Sequence, residues 1–167
     1  MLPTNMKLLP LISLLLILTA CNSGTGRQEI DLTDRTISNP TDGVGHYVYA
    51  LSLPESIAAG ETLEIQMDWR TVGPADMRKR YDLELRLNGP ASKVYRVDKS
   101  LSTVGEANLV NWINYFFDIP ADFPAGSYDV EVRLVDETRA GGFVPLGFHE
   151  KMAVGDGFWR VANLTVE

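Results

Sequence analysis

The sequence predicts an all-β fold, an antiparallel β-sandwich of about seven or eight strands. Apolar residues alternate with polar residues in several separate segments, which is typical of strands that bury one face. Turns rich in glycine and proline separate these segments. No segment has the period of an amphipathic helix. We therefore expect the alternating segments to supply the residues of the hydrophobic core.

The alternation locates the individual strands. Large apolar residues occupy every second position in residues 47–53, 63–69, 81–87, 113–119 and 128–134. A shorter strand is predicted over residues 93–97, and residues 54–59 are assigned a single turn. Trp69 extends the apolar face of its segment and is therefore predicted to lie in the core.

The amino terminus has the pattern of a secretion signal. Lys7 is the only charged residue among the first 20, and an apolar run follows over residues 8–18, interrupted by Pro10 and Ser13. A run of this length matches a signal-peptide core. It is shorter than the roughly 20 apolar residues of a membrane-spanning helix.

The residues Leu18-Thr19-Ala20-Cys21 resemble the lipobox of bacterial lipoproteins. The resemblance implies cleavage before Cys21, diacylglycerol on its thiol and acylation of the new amino group. Several acyl chains attach a protein stably, whereas one gives only marginal membrane binding. Cys21 is the only cysteine in the sequence, so an intrachain disulfide is excluded. Asn22, in place of aspartate, favours the outer membrane if the source is Gram-negative.

Cleavage before Cys21 would leave 147 of the 167 residues, enough for one domain with a hydrophobic core. The predicted organisation is a signal peptide over residues 1–20, a lipidated cysteine with a flexible polar tether over 21–45, and a β-sandwich domain over 46–167. A short strand within residues 29–32 is left open. Loss of Lys7 changes the formal charge from −7 to −8. Such an acidic chain is a poor partner for nucleic acid, which needs clustered Lys and Arg.

Three stretches of sequence carry a second resemblance. They are Gly60-Glu61-Thr62-Leu63 running on to Trp69 and Gly73, Ile119-Pro120 through Phe123-Pro124-Ala125-Gly126-Ser127-Tyr128 to Asp136, and Asp156-Gly157-Phe158-Trp159 to Val166. Together they resemble the immunoglobulin-like β-sandwich domains at the end of large bacterial carbohydrate-active proteins, after a barrel domain. The resemblance covers residues 47–167 and implies an immunoglobulin-like fold. This sequence contains no such barrel, so no catalytic role follows.

The sequence contains no recognisable catalytic motif. His46 and His149 lack the partners of a metal site or a catalytic triad and are interpreted as surface or half-buried residues. Glycoside hydrolysis would use two carboxylates. Most carboxylates alternate with core residues, however, and are predicted to face water, among them Asp82, Glu84, Asp129 and Glu131. No cofactor is predicted. A structural calcium ion is left open at Asp136-Glu137 or Asp156.

Aromatic residues are the strongest indication of a ligand site. In residues 113–119 alternate apolar side chains form one face, and Trp112, Asn114 and Phe116 fall on the other. An exposed tryptophan beside an amide is the kind of surface on which a sugar ring stacks. Trp159, close to Arg160, is a second candidate. One alternative is that a loop or the other sheet covers these rings. Another is that the strand of residues 113–119 is central in its sheet and buried on both faces.

We expect a membrane-anchored lipoprotein of the bacterial envelope whose sandwich is a non-catalytic binding module for carbohydrate or another envelope protein. One alternative is a small hydrolase that acts through carboxylates. Another is a structural subunit that pairs with a partner through a sheet edge.

Overall fold

The computed structural model describes residues 26–36, 45–72, 81–97, 110–136 and 142–167. In these ranges the chain is almost entirely β-structure, with two 3₁₀ turns at Thr33–Arg35 and Glu150–Met152. The strands in chain order are β1 (Arg27–Asp31), β2 (Gly45–Pro54), β3 (Ser56–Ile57), β4 (Thr62–Val72), β5 (Tyr81–Asn88), β6 (Ser92–Val97), β7 (Val110–Asp118), β8 (Gly126–Asp136), β9 (Phe143–Val144), β10 (Ala153–Gly155) and β11 (Phe158–Val166).

The strands form two sheets that enclose one core. The first sheet has the order β1-β2-β4-β7, and the second has the order β10-β11-β8-β5-β6. The longer strands pair antiparallel throughout. Two short strands extend the second sheet, where β3 pairs in parallel with β11 and β9 pairs with β8. The predicted all-β sandwich is confirmed.

Among the seven longest strands, the connectivity follows the immunoglobulin-like pattern. The first, second and fifth of them (β2, β4 and β7) lie in one sheet, and the other four (β5, β6, β8 and β11) lie in the second. All seven were expected from the alternation or the sequence resemblance. Tyr128, near the start of β8, donates a hydrogen bond of 2.7 Å from its hydroxyl to the carbonyl oxygen of Pro124, as in the tyrosine corner of such sandwiches.

The period-two segments build the core as predicted. On β4 the side chains of Leu63, Ile65, Met67 and Trp69 are fully buried, and the inward residues of β5 and β8 face them from the second sheet. Each large apolar side chain removed from water in this way stabilises the fold by about 1.5–3 kcal/mol. Trp69 thus lies in the core, as the sequence predicts.

A bulge in β2 changes the predicted face of two tyrosines. Val48 lies opposite Trp69 and Ala50 lies opposite Asp68, so Tyr49 has no partner position on β4. Period-two alternation places Tyr47 and Tyr49 on the same face as Leu51. Because of the bulge, Val48 joins Leu51 in the core instead, and Tyr49 lies on the outer face beneath the guanidinium of Arg70.

The sandwich begins earlier than predicted. β1 pairs with β2 from Arg27 opposite Pro54 to Asp31 opposite Ala50, and Leu32 is fully buried in the core. The predicted tether over residues 21–45 is therefore wrong for residues 27–36, which belong to the first sheet and its connection. The predicted signal peptide and Cys21 lie outside the described residues.

The segment assigned to a turn after β2 contains a strand instead. Ser56 and Ile57 pair in parallel with Thr165 and Val166 at the end of β11. Ile57 is buried in the core, so this strand closes the sandwich between the first sheet and the second.

Candidate functional site

The candidate ligand residues of β7 lie together on the outer face of the first sheet. Among the described strands β7 is the edge of this sheet. Its inward residues Tyr115 and Phe117 are buried, whereas Trp112 is 52% exposed and Phe116 is 54% exposed. Asn114 lies between them and is exposed. The structure therefore brings three of the four predicted ligand residues onto one outward face.

Polar side chains of β4 lie directly beside these three residues. In the β4–β7 register Asp68 is opposite Trp112, Gln66 is opposite Asn114 and Glu64 is opposite Phe116. Directly opposite side chains on one face of an antiparallel pair are neighbours. These six residues form a surface of two aromatic rings bordered by carboxylates and amides, which we call the aromatic platform.

Asp68 is the unusual member of the aromatic platform. Its Oδ1 atom is shielded from solvent and accepts no hydrogen bond from any residue that the structure describes. Burial raises the pKa of Asp68, and the charge of Arg70 lowers it by a smaller amount. Shielded polar atoms in folded proteins nearly always have a hydrogen-bond partner, so one without a partner points to a missing ligand or to a cost in stability.

A cavity continues from Asp68 across the sheet. It has a volume of about 360 Å³ and is bordered by Tyr49 on β2 and by Glu29 and Asp31 on β1. The hydroxyl and backbone N–H of Thr33 both donate to Asp31, and these hydrogen bonds lower the pKa of its carboxyl. The cavity and the aromatic platform together give this face three carboxylates in addition to Glu64.

Trp159 does not belong to the aromatic platform. It lies on β11 in the second sheet, and it is only partly exposed because its ring packs against Phe148 at 5.8 Å between centroids. Arg160 beside it forms an ion pair with Asp129 at 3.2 Å. Trp159, the second candidate, therefore lies on a different sheet from Trp112 and shares no surface with it.

Three carboxylates predicted to face water are buried. Asp82 is 2% exposed, Glu84 is 8% exposed and Glu131 is 1% exposed. Although they alternate with core residues, arginine side chains cover them. The guanidinium of Arg96 donates to Asp82 at 2.5 Å. That of Arg133 donates to Glu84 at 2.6 Å.

Two phenylalanines pack against two of the three covering arginines. Arg86 donates to Glu131 and lies 4.1 Å from the ring centre of Phe158. Arg133 lies 4.2 Å from that same ring and 4.3 Å from the ring of Phe143. The outer face of the second sheet is thus a stack of alternating guanidinium and aromatic groups over buried carboxylates. Guanidinium groups bind one oxygen of each of these carboxylates, while Oδ1 of Asp82 is shielded and has no hydrogen-bond partner among the described residues.

The remaining titratable candidates are separate from the aromatic platform. His46 is buried, with Nδ1 3.1 Å from the Thr71 hydroxyl, and His149 is exposed. Among the described residues no three His, Cys, Asp or Glu side chains are grouped as metal ligands. Asp136 is buried and Asp156 is exposed in a turn, while Glu137 lies outside the described residues. Within the described ranges, no ligand group forms at the calcium site left open by the sequence.

In the described part of the chain, no helix is long and apolar enough to cross a membrane. No protein-family model matches the sequence, and no curated protein matches it either.

Sequence reasoning missed Asp68, Gln66 and Glu64 as neighbours of the aromatic residues. Their alternation on β4 shows that they face outward. Only the pairing of β4 with β7, and the register of that pair, places them beside Trp112, Asn114 and Phe116.

Proposed function

We propose that the chain is a lipid-anchored lipoprotein of the bacterial cell envelope, and that its sandwich is a non-catalytic module that binds neutral glycan on the aromatic platform. One observation carries the binding proposal. Two exposed aromatic rings flank an exposed amide on an edge strand, beside a carboxylate oxygen with no hydrogen-bond partner among the described residues.

The rings suit the apolar faces of sugars. Trp112 and Phe116 are four residues apart on one strand face, which separates them by about 13 Å. An oligosaccharide of a few linked rings spans this distance and can contact both side chains. Burying large exposed aromatic surface is favourable by roughly 25 cal/mol per Å² of apolar area removed from water.

The polar neighbours define the kind of sugar. Asn114 and Gln66 can both donate and accept hydrogen bonds, and the carboxylates of Asp68 and Glu64 accept them from hydroxyl groups. Carboxylates on this face repel uronic acids and sulfated sugars. The aromatic platform therefore favours neutral sugars that present several hydroxyl groups.

The proposed anchor would hold the aromatic platform near a membrane. Five residue steps separate Cys21 from Gly26, a distance of at most about 18 Å. In the first sheet, Glu29 aligns with Ser52, then Gln66, then Asn114. Arg27, the first residue of β1, lies 3.7 Å from Glu64, the partner of Phe116, so Phe116 lies near the level at which β1 begins. Trp112 lies further from that end. A glycan bound along β7 would extend away from the bilayer.

Glycan binding is tested with the full chain purified in a nonionic detergent. A neutral-oligosaccharide array identifies the best sugar, and calorimetry then measures its affinity. We expect Trp112→Ala and Phe116→Ala each to weaken binding at least tenfold. Val94→Ala removes an apolar residue of similar exposure from the second sheet, and it should leave the affinity unchanged.

Two outcomes would overturn the binding proposal. One is the absence of any neutral sugar ligand, particularly if a single envelope protein copurifies. The other is release of new reducing ends from the bound oligosaccharide, which would indicate a hydrolase.

The anchor is tested separately by mass spectrometry of the purified chain. We expect the amino-terminal peptide to begin at Cys21 with diacylglycerol and an additional acyl chain. Cys21→Ser should prevent this processing. An unmodified Cys21 in the mature chain would contradict the anchor without affecting the glycan result.

A further inference from the structure

A second cavity lies between the two sheets on the side away from the aromatic platform. It has a volume of about 520 Å³ and runs between β1 of the first sheet and β11 of the second, beside the turn Glu150–Met152. We call it the β1–β11 cleft. Gln28 closes part of it, since its amide donates a hydrogen bond of 2.8 Å to the carbonyl oxygen of Asn163.

The β1–β11 cleft is cationic in an acidic protein. Arg35, Lys151 and Arg160 line it, and none of its lining residues is Asp or Glu. The whole chain has 22 acidic and 15 basic residues. Random placement would therefore put more carboxylates than cations around a cavity of this size.

Two of these cations have no protein partner in the described ranges. Arg27, Arg86, Arg96 and Arg133 each form an ion pair with a carboxylate. The side chains of Arg35 and Lys151 form no ion pair or hydrogen bond with another described residue, although both line the cavity. Arg160 pairs with Asp129, which does not line the cleft. The cleft therefore contains positive charge that no described carboxylate pairs.

Part of the wall of the β1–β11 cleft is apolar. Ile30 borders it from β1, and Met152 and Val161, both largely buried, border it from the second sheet. A ligand matched to this surface combines a negatively charged group with a compact body that has an apolar face.

We propose that the β1–β11 cleft is a binding site for a phosphate ester. The guanidinium of Arg35 offers the forked donors that match phosphate oxygens, and the ammonium of Lys151 adds a second charge. Arg160 also lines the cleft, with its charge shared with Asp129. The two positive charges that no described carboxylate pairs match a doubly charged phosphate monoester, whereas a single carboxylate would balance only one of them. The phosphate ester comes either from a lipid headgroup, represented by glycerol phosphate, or from a sugar phosphate.

The alternation of β1 separates this site from the aromatic platform. Gln28 lines only the cationic cleft, and Glu29 and Asp31 border only the acidic cavity beside Asp68. The apolar Ile30 borders both. Opposite charges on the two sides of one strand require different ligands. The phosphate proposal is therefore independent of the glycan proposal.

The test uses the full chain in nonionic detergent and phosphate-free buffer, with calorimetry. The probes are sn-glycerol 3-phosphate against glycerol, glucose 6-phosphate against glucose, and acetate as a carboxylate. We expect at least one phosphate ester to bind, its neutral counterpart not to bind, and affinity to fall with added salt. The preferred ester identifies the headgroup or the sugar as the source.

Variants that remove one positive charge test whether the phosphate ester binds in the β1–β11 cleft. Arg35→Gln and Lys151→Gln should each weaken phosphate-ester binding about tenfold, and the double variant should weaken it further. Lys93→Gln removes an equal charge from β6, outside the cleft, and should have no effect.

Three results would overturn the proposal. The first is that neither phosphate ester binds. The second is that acetate binds as tightly as the esters. The third is that the cleft variants bind as well as the parent chain.

Discussion

The hydroxyl of Tyr128 donates a hydrogen bond of 2.7 Å to the carbonyl oxygen of Pro124, four residues earlier in the chain. The Tyr128 ring also stacks on Phe123, with 5.0 Å between ring centroids. The hydrogen bond and the stack together fix the turn that carries the chain from β7 in the first sheet to β8 in the second. This corner joins the two sheets independently of any disulfide.

We predict that Tyr128→Phe lowers the free energy of unfolding by about 1 kcal/mol, because a typical hydrogen bond contributes that much and the ring stack is retained. Urea denaturation measures the change. Tyr95→Phe is the matched control, since the Tyr95 hydroxyl is shielded and has no hydrogen-bond partner among the described residues. Equal losses in both variants would show that the Tyr128 hydrogen bond has no specific role.

The buried Glu131–Arg86 pair supplies a second prediction. Glu131 is 1% exposed, and without its charge Arg86 keeps only a longer ion pair of 3.8 Å with the exposed Asp156. Removing one partner of a buried ion pair leaves the other charge poorly compensated. Glu131→Gln should therefore lower the free energy of unfolding by about 3 kcal/mol in denaturant titrations. Glu64→Gln makes the same chemical change in an exposed pair with Arg27, at 3.7 Å, and should cost less than about 1 kcal/mol. A similar cost for both would contradict a buried network.

The alternating segments predicted most of the fold because each strand has one face in the core. The same rule placed Trp112, Asn114 and Phe116 on the outside of β7, and the structure agrees. It failed for Glu131, which alternates with core residues but is covered by Arg86 and by the ring of Phe158. Phe158 lies on β11, which is far from Glu131 in sequence but adjacent to β8 in the sheet. Alternation assigns a side chain to a face of the sheet, but it does not determine what covers that face.

The sequence alone does not determine the register between strands or the positions of bulges. The position of Asp68 beside Trp112 depends on which strand pairs with β7 and in what register. The bulge at Tyr49 inserts one residue and reverses the faces before it. β1 is five residues long with charged residues at both ends, so its pattern resembles that of a polar tether.

We predict that the protein loses stability at alkaline pH because the hydroxyls of Tyr95 and Tyr115 are shielded from solvent. Burial raises the pKa of Tyr95 to about 12 and raises that of Tyr115 as well. An unfolded tyrosine ionises near pH 10. The stability from these neutral hydroxyls is therefore complete below about pH 10 and is lost as the pH rises toward the folded values.

Urea midpoints measured from about pH 9 to pH 11 test this expectation. Each buried tyrosine should contribute a decrease of up to about 1.4 kcal/mol per pH unit above pH 10, and Tyr95→Phe should make the decrease shallower. Absorbance at the tyrosinate band reports ionisation directly. Parallel curves for the parent chain and Tyr95→Phe would refute the assignment to Tyr95.

Substitution of Asp68 on the aromatic platform should have opposite effects on stability and on glycan binding. Its pKa is raised chiefly by burial, so ionisation destabilises the folded chain. The stability that depends on its neutral form is present below the unfolded pKa of about 3.9 and is lost as the pH rises through the folded value. Asp68→Asn should therefore raise the free energy of unfolding at neutral pH, by about 0.5 kcal/mol, with a smaller gain below about pH 3.

The same Asp68→Asn variant should bind the neutral glycan more weakly, because a carboxylate accepts stronger hydrogen bonds than an amide. Denaturant titration across pH and calorimetry with the glycan measure the two effects on one protein. Gln66→Ala, at the neighbouring outward position of β4, should weaken glycan binding without the pH-dependent gain in stability. If Asp68→Asn lowers the stability at neutral pH, the Asp68 carboxylate does not destabilise the fold. If the variant also binds glycan with unchanged affinity, the carboxylate does not contact the sugar.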